Sequence, residues 1–481
     1  MNARAPVPGK MPANKLLEGP ILKSLLTLAI PIVMANVLQS AYQIIDAFWV
    51  GRLGGAAVAA VSISFPVMFL MIALGMGLAM AGSTLTAQYR GAGNDEMVAH
   101  VAAQTLNMVA ALSLVLSVLG YFAAPAFLRT MGVGADVYPG ALGFMRVSFI
   151  ALLFNFTFFV FQSIMRGVGR PTLPVYIVLV TVILNFALDP LFIFGWGPVP
   201  GYGVMGAALA TLATQVLAAI AGMIVLRAGR HGIHLKPHDF IPDVAYMKRA
   251  FYLGAPASVE QSARALGLMV LTFLIASFGT RTMAAYGVGS NIVQVVIIPA
   301  FGLSMAISVL AGQNIGAGNV ERAARIGRLG AQLAFAILTG IGVVVFAFAP
   351  AFAAFFVPRD PGVIAAAAHF LRIMALAWGF MGLQLALTGV LRASGNMMTT
   401  MVLTLTTQWV VQFPLAYILS KHTSLHDSGI WWAFPVTNVI GAAIVLAIYG
   451  RGDWKKTKLI SSDDKAVAHI TEEAELEEPM R

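Results

Sequence analysis

Three acidic residues lie inside long apolar stretches of this sequence: Asp46, Asp189 and Glu260. An ionised side chain in the hydrocarbon of a membrane costs about 2.5–3.5 kcal/mol on insertion scales, unless it faces a wet or paired interior. Carboxylates that are kept in such surroundings can take up and release a proton, or they can hold a metal cation. We therefore take these three residues as the first candidates for function.

Polar neighbours at helical spacing accompany the first two acids. Tyr42 precedes Asp46 by four residues and Asn185 precedes Asp189 by four, so each pair shares one face of a helix, and Thr211 can add a hydroxyl oxygen. Buried acids that crowd each other can exchange a proton near neutral pH, whereas several oxygen atoms together can hold Na⁺. The sequence predicts a coupling-ion site at these five residues and leaves both ions open, with Na⁺ ligands among Asp46, Asn185, Asp189 and Thr211.

Other polar residues inside apolar stretches are candidates for a substrate cavity. They are Gln39, Gln43, Asn155, Gln162 and Glu260. Glu260 has a second interpretation, because Arg264 follows it by four residues and can neutralise it in a structural ion pair.

The composition is that of a membrane protein. Hydrophobic residues make up 59% of the 481 residues and charged residues only 10%, against about 25% charged in soluble proteins. Apolar runs recur from residue 22 to residue 450, each long enough to cross about 30 Å of hydrocarbon as a helix. We predict an all-α polytopic membrane protein with twelve transmembrane helices at residues 22–50, 57–87, 97–124, 137–165, 173–195, 203–227, 247–278, 283–311, 320–349, 362–390, 398–420 and 429–450.

The two halves of the chain repeat each other. Pro31 matches Pro256, and the segment Gly-Ala-Gly-Asn at 91–94 recurs at 316–319, where we expect turn chemistry. Six spans per half give the two repeats the same orientation, and transporters built this way bind substrate between the halves. The predicted domains are an N-terminal segment (1–20), a first lobe (21–227), a linker (228–246), a second lobe (247–450) and a tail (451–481).

The three acids break this repeat. Asp46 corresponds to Leu271, Asp189 to Phe413, and Glu260 to Ala35. Duplication of the scaffold therefore does not account for them, which favours a functional role.

Charge distribution predicts the orientation. The formal net charge is +10, but most loop Lys and Arg residues fall on the side that carries both termini, so we expect both termini in the cytoplasm of a bacterial inner membrane. Nucleic-acid binding is not needed to explain the charge. The acidic tail after residue 460 is expected to be disordered.

Catalysis is disfavoured. Cysteine is absent, so thiolate chemistry and Cys-ligated metals are excluded, and the spans contain no evident nucleophile–base set. We expect no enzyme activity and no cofactor besides the coupling ion.

Five segments in chain order carry a family resemblance. They are DAFWVGRLG at 46–54, QSIMRGVG at 162–169, NFALDP at 185–190, GAALAT at 206–211 and GAPASVEQ at 254–261. With the duplicated twelve-span pattern, residues 20–450 resemble the multidrug and toxic compound extrusion (MATE) transporters, within them the DinF-like branch.

The resemblance implies two six-helix lobes in a V around a central cavity, and we expect a monomer. It also implies export of lipophilic organic cations in exchange for H⁺ or Na⁺, at acids that match Asp46 and Asp189. Other branches carry a coupling acid later in span 7, close to Arg264 here, and often one in span 10, which has none here. This difference favours coupling in the first lobe, and we expect H⁺ rather than Na⁺.

Two alternatives remain open. A flippase for lipid-linked precursors would need a more cationic cavity than Arg146, Arg264 and Arg372 provide. An intramembrane enzyme is the more remote alternative.

Overall fold

The computed structural model describes residues 15–229, 233–457 and 459–460. Long helices fill it, at the positions where the sequence is apolar for twenty residues or more. They are α1 (Ile21–Gly51), α2 (Gly55–Gly91), α3 (Asp95–Thr130), α4 (Tyr138–Gly167), α5 (Thr172–Phe194), α6 (Val204–Arg227), α7 (Val244–Ala276), α8 (Thr280–Gly316), α9 (Val320–Phe356), α10 (Pro361–Ala375), α11 (Trp378–Ala393), α12 (Met397–Lys421) and α13 (Asp427–Arg451). We call α1–α6 the first lobe and α7–α13 the second lobe.

The predicted fold class is confirmed. Eleven helices in the described part of the chain are long and apolar enough to cross a membrane, and α10 and α11, bent by 49° at their junction, make a twelfth span. The N-terminal segment before residue 15 and the acidic tail beyond residue 460 lie outside the described residues.

Irregular backbone is concentrated in the second lobe. The span of α10 and α11 is broken between Ala375 and Trp378, and α12 contains a π-helical segment at Thr406–Gln412. π-Helical turns are rare and occur frequently at functional sites.

The repeated Gly-Ala-Gly-Asn segments form the expected turns. Gly93 and Gly318 have φ of 78° and 82°, the left-handed conformation that glycine adopts without strain. Asn94 then caps α3, its Oδ1 accepting a hydrogen bond from Met97 N at 2.9 Å.

These segments also hold the two lobes together, a role that the sequence did not predict. A Cβ atom on Gly91 would lie 1.9 Å from the backbone oxygen of Gln313, and one on Gly316 would lie 1.9 Å from that of Gln88. The ends of α2 and α8, where glycine leaves the backbone without a side chain, are thus in direct contact across the lobe boundary.

Side chains bond across the same boundary. Gln88 Nε2 donates to Ala393 O at 2.7 Å and Gln313 Nε2 donates to Gly167 O at 2.8 Å. Nearer mid-span, Ser258 Oγ donates to Leu74 O at 2.6 Å. These inter-lobe bonds run from mid-span to the end of the bundle that carries the Gly-Ala-Gly-Asn turns.

Candidate coupling-ion site

The structure brings the predicted coupling-ion residues of the first lobe together from three helices. Asp46 on α1 and Asp189 on α5 lie close enough for their carboxylates to repel each other when both are ionised. Thr211 Oγ1, on α6, donates to Asp46 Oδ2 at 3.4 Å, and Asn185 Nδ2 donates to Asp189 Oδ1 at 3.1 Å. Asn185 and Asp189 are fully buried and Asp46 is half-buried.

Tyr42, the fifth residue of the predicted group, bonds to Thr214, which was not among the predicted residues. Its hydroxyl hydrogen-bonds with Thr214 Oγ1 at 2.6 Å, and the ring is buried. Thr214 lies three residues after Thr211, so helical spacing alone could have identified it.

Aromatic packing fixes α1 against α5 beside the acids. The ring of Trp49 lies 5.7 Å from that of Phe186 and 6.2 Å from that of Phe194, measured between ring centroids. Gly206 lets α6 approach α5 closely, because a Cβ atom there would lie 2.2 Å from Phe192 O. Three helices therefore converge where the acids lie.

Several oxygen atoms of this group are buried and accept no hydrogen bond from the described residues. They are Asp46 Oδ1, Asp189 Oδ2 and Asn185 Oδ1. A buried acceptor without a donor is costly, about 1–3 kcal/mol each. A group of unpaired acceptors with two carboxylates is suited to a proton or a small cation.

The four amides predicted for a substrate cavity do not hydrogen-bond to these acids in the described part of the chain. Gln39 is half-buried and Gln43 is exposed on α1. Asn155 on α4 has a buried Oδ1 without a donor. Gln162 Oε1 accepts from Arg166 Nη1 at 3.5 Å, nearer the end with the Gly-Ala-Gly-Asn turns.

Glu260 lies apart, inside the second lobe, and is only 1% exposed. Its Oε1 accepts from Arg264 Nη2 at 3.0 Å, as its spacing suggested, and from Arg392 Nη2 at 2.5 Å. Thr400 Oγ1 donates to Oε2 at 3.0 Å, and Thr404 Oγ1 donates to Oε1 at 3.2 Å. Glu260 is thus a fully bonded ion on α7, joined to α11 and α12.

At the repeat positions of the two first-lobe acids, the second lobe is apolar. Leu271 is 1% exposed in a buried cluster against which Phe413 packs. In the described structure the acid pair therefore has no counterpart at the repeat positions of the second lobe.

Comparison with known proteins identifies the family. The MatE family model matches residues 31–191 and again 256–418, more than half of the chain. Probable multidrug resistance protein YoeA of Bacillus subtilis (strain 168) is 29% identical over 445 residues, which cover 91% of this chain and 95% of that protein. The FAD transporter of Shewanella oneidensis is 25% identical, over 88% of this chain and 93% of that protein.

The fold agrees with this match. The crystal structure of MATE in complex with MaL6 superposes with a TM-score of 0.86 and 25% identity, covering 93% of this chain and 99% of that one. From the doubled family match and the shared architecture, the chain belongs to the MATE family of membrane transporters.

Proposed function

We propose that this protein exports organic compounds, chiefly lipophilic cations, in exchange for a coupling cation bound at Asp46 and Asp189. The observation that carries the proposal is the pair of carboxylates from α1 and α5, each with a buried oxygen that accepts no hydrogen bond from the described residues. An antiporter needs a site that binds the ion in one conformation and releases it in another, and such a group gains most from a bound cation.

A proton is the ion that fits this arrangement more simply. Two ionised carboxylates have only acceptors, so they can share a hydrogen bond only when one of them is protonated. One proton would relieve their mutual repulsion and supply a donor to an oxygen that has none. Na⁺ would instead draw on Asp46, Asp189, Asn185 and Thr211 together.

The names of relatives support the direction and cargo of transport. YoeA is named a probable multidrug resistance protein.

We place both termini in the cytoplasm of a bacterial inner membrane, because basic loop residues favour that side. Coupling acids on α1 and α5, with Arg264 on α7, support a place in the DinF-like branch, and we expect the monomer to be the working unit.

Everted membrane vesicles test the proposal. When the lumen is acidified, the wild-type protein should drive uptake of ethidium, because protons leaving the lumen exchange for the dye. Asp46→Asn and Asp189→Asn should each abolish this uptake, since an amide cannot exchange a proton. An equal uptake with and without Na⁺ is expected.

The matched control is Asp136→Asn, which removes an exposed acid of the same lobe outside the spans. It should transport like the wild type. Undiminished uptake by both membrane-acid variants would remove the proposed site, and uptake that requires a Na⁺ gradient after the pH gradient is collapsed would replace H⁺ with Na⁺.

A further inference from the structure

A groove opens between α12 and α13 on the surface of the second lobe. The two helices pack closely against each other from the π-helical segment at Thr406–Gln412 onward, and much less closely along residues 397–405. The space between them there has a volume of about 260 Å³. Its lining is mostly apolar and includes Met398, Val402, Leu403, Ile444 and Ile448.

The groove lies in the membrane-spanning part of both helices and is open to the side. Met398 and Val402, one helical turn apart on α12, are 58% and 51% exposed. From Met398 to Thr406 the groove follows eight residues, about 12 Å of helix. An acyl chain fits walls of this kind, but lipid tails are as apolar as the side chains, so it gains only packing contacts. The groove therefore accepts a lipid chain, and any selection among lipids must come from the headgroup.

A polar cavity adjoins the groove at the end of α13. It has a volume of about 280 Å³ and shares Thr399 and Ile448 with the groove. Gly452, with φ of 75°, turns the chain back after α13. Trp454 then packs under this turn, 2% exposed and stacked on the ring of Tyr449. The apolar groove thus leads directly into a polar cavity, as a lipid tail leads to its headgroup.

The polar cavity contains an arginine without a partner. Arg451, the last residue of α13, lines it and makes no hydrogen bond or ion pair with any described residue. The acid of the same cavity, Asp453, is paired with Lys456, whose Nζ donates to its Oδ1 at 3.4 Å. The guanidinium of Arg451 is therefore available to a phosphate, which it can bind through two parallel hydrogen bonds.

The start of α12 adds a second attraction for an anion at the same place. This helix begins at Met397 without a side-chain cap, and Asn396 and Thr399, on either side of that residue, both line the cavity. The free N–H groups of a first helical turn carry partial positive charge and bind phosphate. An arginine and a helix start thus meet in one cavity, and together they favour a headgroup with a net negative charge.

The cavity lies at the end of the bundle that carries the Gly-Ala-Gly-Asn turns. Tyr449 Oη donates to Ala324 O at 2.8 Å, and Lys455 Nζ donates to Glu321 Oε1 at 2.9 Å. Both acceptors belong to the first two turns of α9, directly after the second Gly-Ala-Gly-Asn segment. In the topology proposed above this is the cytoplasmic side, where basic pockets between spans bind anionic headgroups.

We propose that this groove and cavity bind one anionic phospholipid, with its phosphate at Arg451 and one acyl chain between α12 and α13. The lipid fills the space where the two spans do not pack against each other, and so joins them. This site is independent of the proposed transport function, because lipid binding can be measured without a transported compound or an ion gradient.

Native mass spectrometry of the purified full-length protein tests this inference. Phosphatidylglycerol has a net negative charge, and phosphatidylcholine with identical acyl chains has the same phosphate but no net charge. The wild-type protein should bind its first phosphatidylglycerol about fivefold more tightly than its first phosphatidylcholine, the effect of one basic residue on an anionic lipid. Arg451→Gln should reduce this preference to less than about twofold.

The matched control removes an arginine at the corresponding end of the first lobe. Arg227 is the last residue of α6, as Arg451 is of α13, and it is exposed. It lines neither the groove nor the cavity, so Arg227→Gln should keep the wild-type preference. An equal affinity of the wild-type protein for both lipids, indicating only non-specific lipid contact, overturns the proposal. An unchanged preference in Arg451→Gln, or an equal loss in Arg227→Gln, does so as well.

A second pair of variants tests the place of the acyl chain. Val402→Trp fills the groove, so it should weaken both lipids about fivefold or more, the scale of overpacking an occupied site, and keep their ratio. Leu446→Trp adds the same ring on α13 outside the groove, where Leu446 is 47% exposed, and should leave both lipids unaffected. Equal lipid binding by these two variants would show that no chain occupies the groove and would overturn the proposal.

Discussion

Gly91 and Gln313 meet across the lobe boundary so closely that no side chain can stand between them: a Cβ atom on Gly91 would lie 1.9 Å from the Gln313 backbone oxygen. Gly316 and Gln88 repeat the contact from the other side. The two repeats thus use the same pair of residue types, in exchanged positions, to close one end of the bundle.

Gly91→Leu should therefore force this end apart. Ordinary contact distances of about 3.5–4 Å exceed the available space by more than 1.5 Å, and backbone atoms cannot move aside by changing rotamer. The chain has no cysteine, so spin labels at Ala92→Cys and Ala317→Cys report the distance without background. We expect a longer label distance in Gly91→Leu. Gly55→Ala, a site on the same helix with open space around it, should leave the distance unchanged; equal distances in all three proteins would contradict this account of the contact.

Loss of the Glu260 carboxylate should destabilise the second lobe strongly. Glu260→Gln leaves the guanidinium of Arg392, only 8% exposed, without its counter-charge. Breaking a buried ion pair costs about 3–5 kcal/mol of unfolding free energy, so Tm in detergent should fall clearly. Glu321→Gln, which breaks an exposed pair with Lys455, is the control and should leave Tm nearly unchanged. Equal unfolding temperatures for the two variants would contradict a stabilising role of the Glu260 ion pairs.

Thr211→Val distinguishes the two coupling ions. If a proton shared by Asp46 and Asp189 is the coupling ion, the Thr211 hydroxyl, whose hydrogen bond to Asp46 Oδ2 is long at 3.4 Å, is dispensable, and vesicle uptake driven by a pH gradient should stay within about twofold of wild type. A Na⁺ site would instead lose a ligand oxygen. Uptake that falls to background in Thr211→Val, and recovers when Na⁺ is raised, would contradict H⁺ coupling.

The membrane orientation can be tested with single cysteines. We expect Asp136→Cys to react with a membrane-impermeant maleimide applied to whole cells, because its loop faces outward in the proposed topology. Ala92→Cys should react only in everted vesicles. The reverse pattern would place both termini outside.

Features within one helix or one apolar run could be predicted from the sequence. The spans follow from run length, and the pairing of Glu260 with Arg264 follows from their spacing of four residues. Arg392 could not be assigned to Glu260, because 132 residues separate them and only tertiary packing brings them together. The same holds for Tyr42 with Thr214, 172 residues apart.

Other features depend on local backbone geometry that the helix propensities of the residues do not predict. The break between α10 and α11 and the π-helical segment of α12 occur in apolar stretches that read as regular helix. Gly91 was predicted as part of a turn, whereas the structure also uses it for helix contact, which a single sequence cannot distinguish.

Proton release on substrate binding is a direct test of ion coupling at Asp46 and Asp189. Ethidium is added to the purified protein in weakly buffered detergent solution near neutral pH, and a pH indicator counts the protons released. The account predicts that the wild-type protein releases about one proton per ethidium bound, because the two acids can share one, and that Asp46→Asn releases none. Equal proton release from both proteins would contradict the proposal that Asp46 and Asp189 bind the coupling ion.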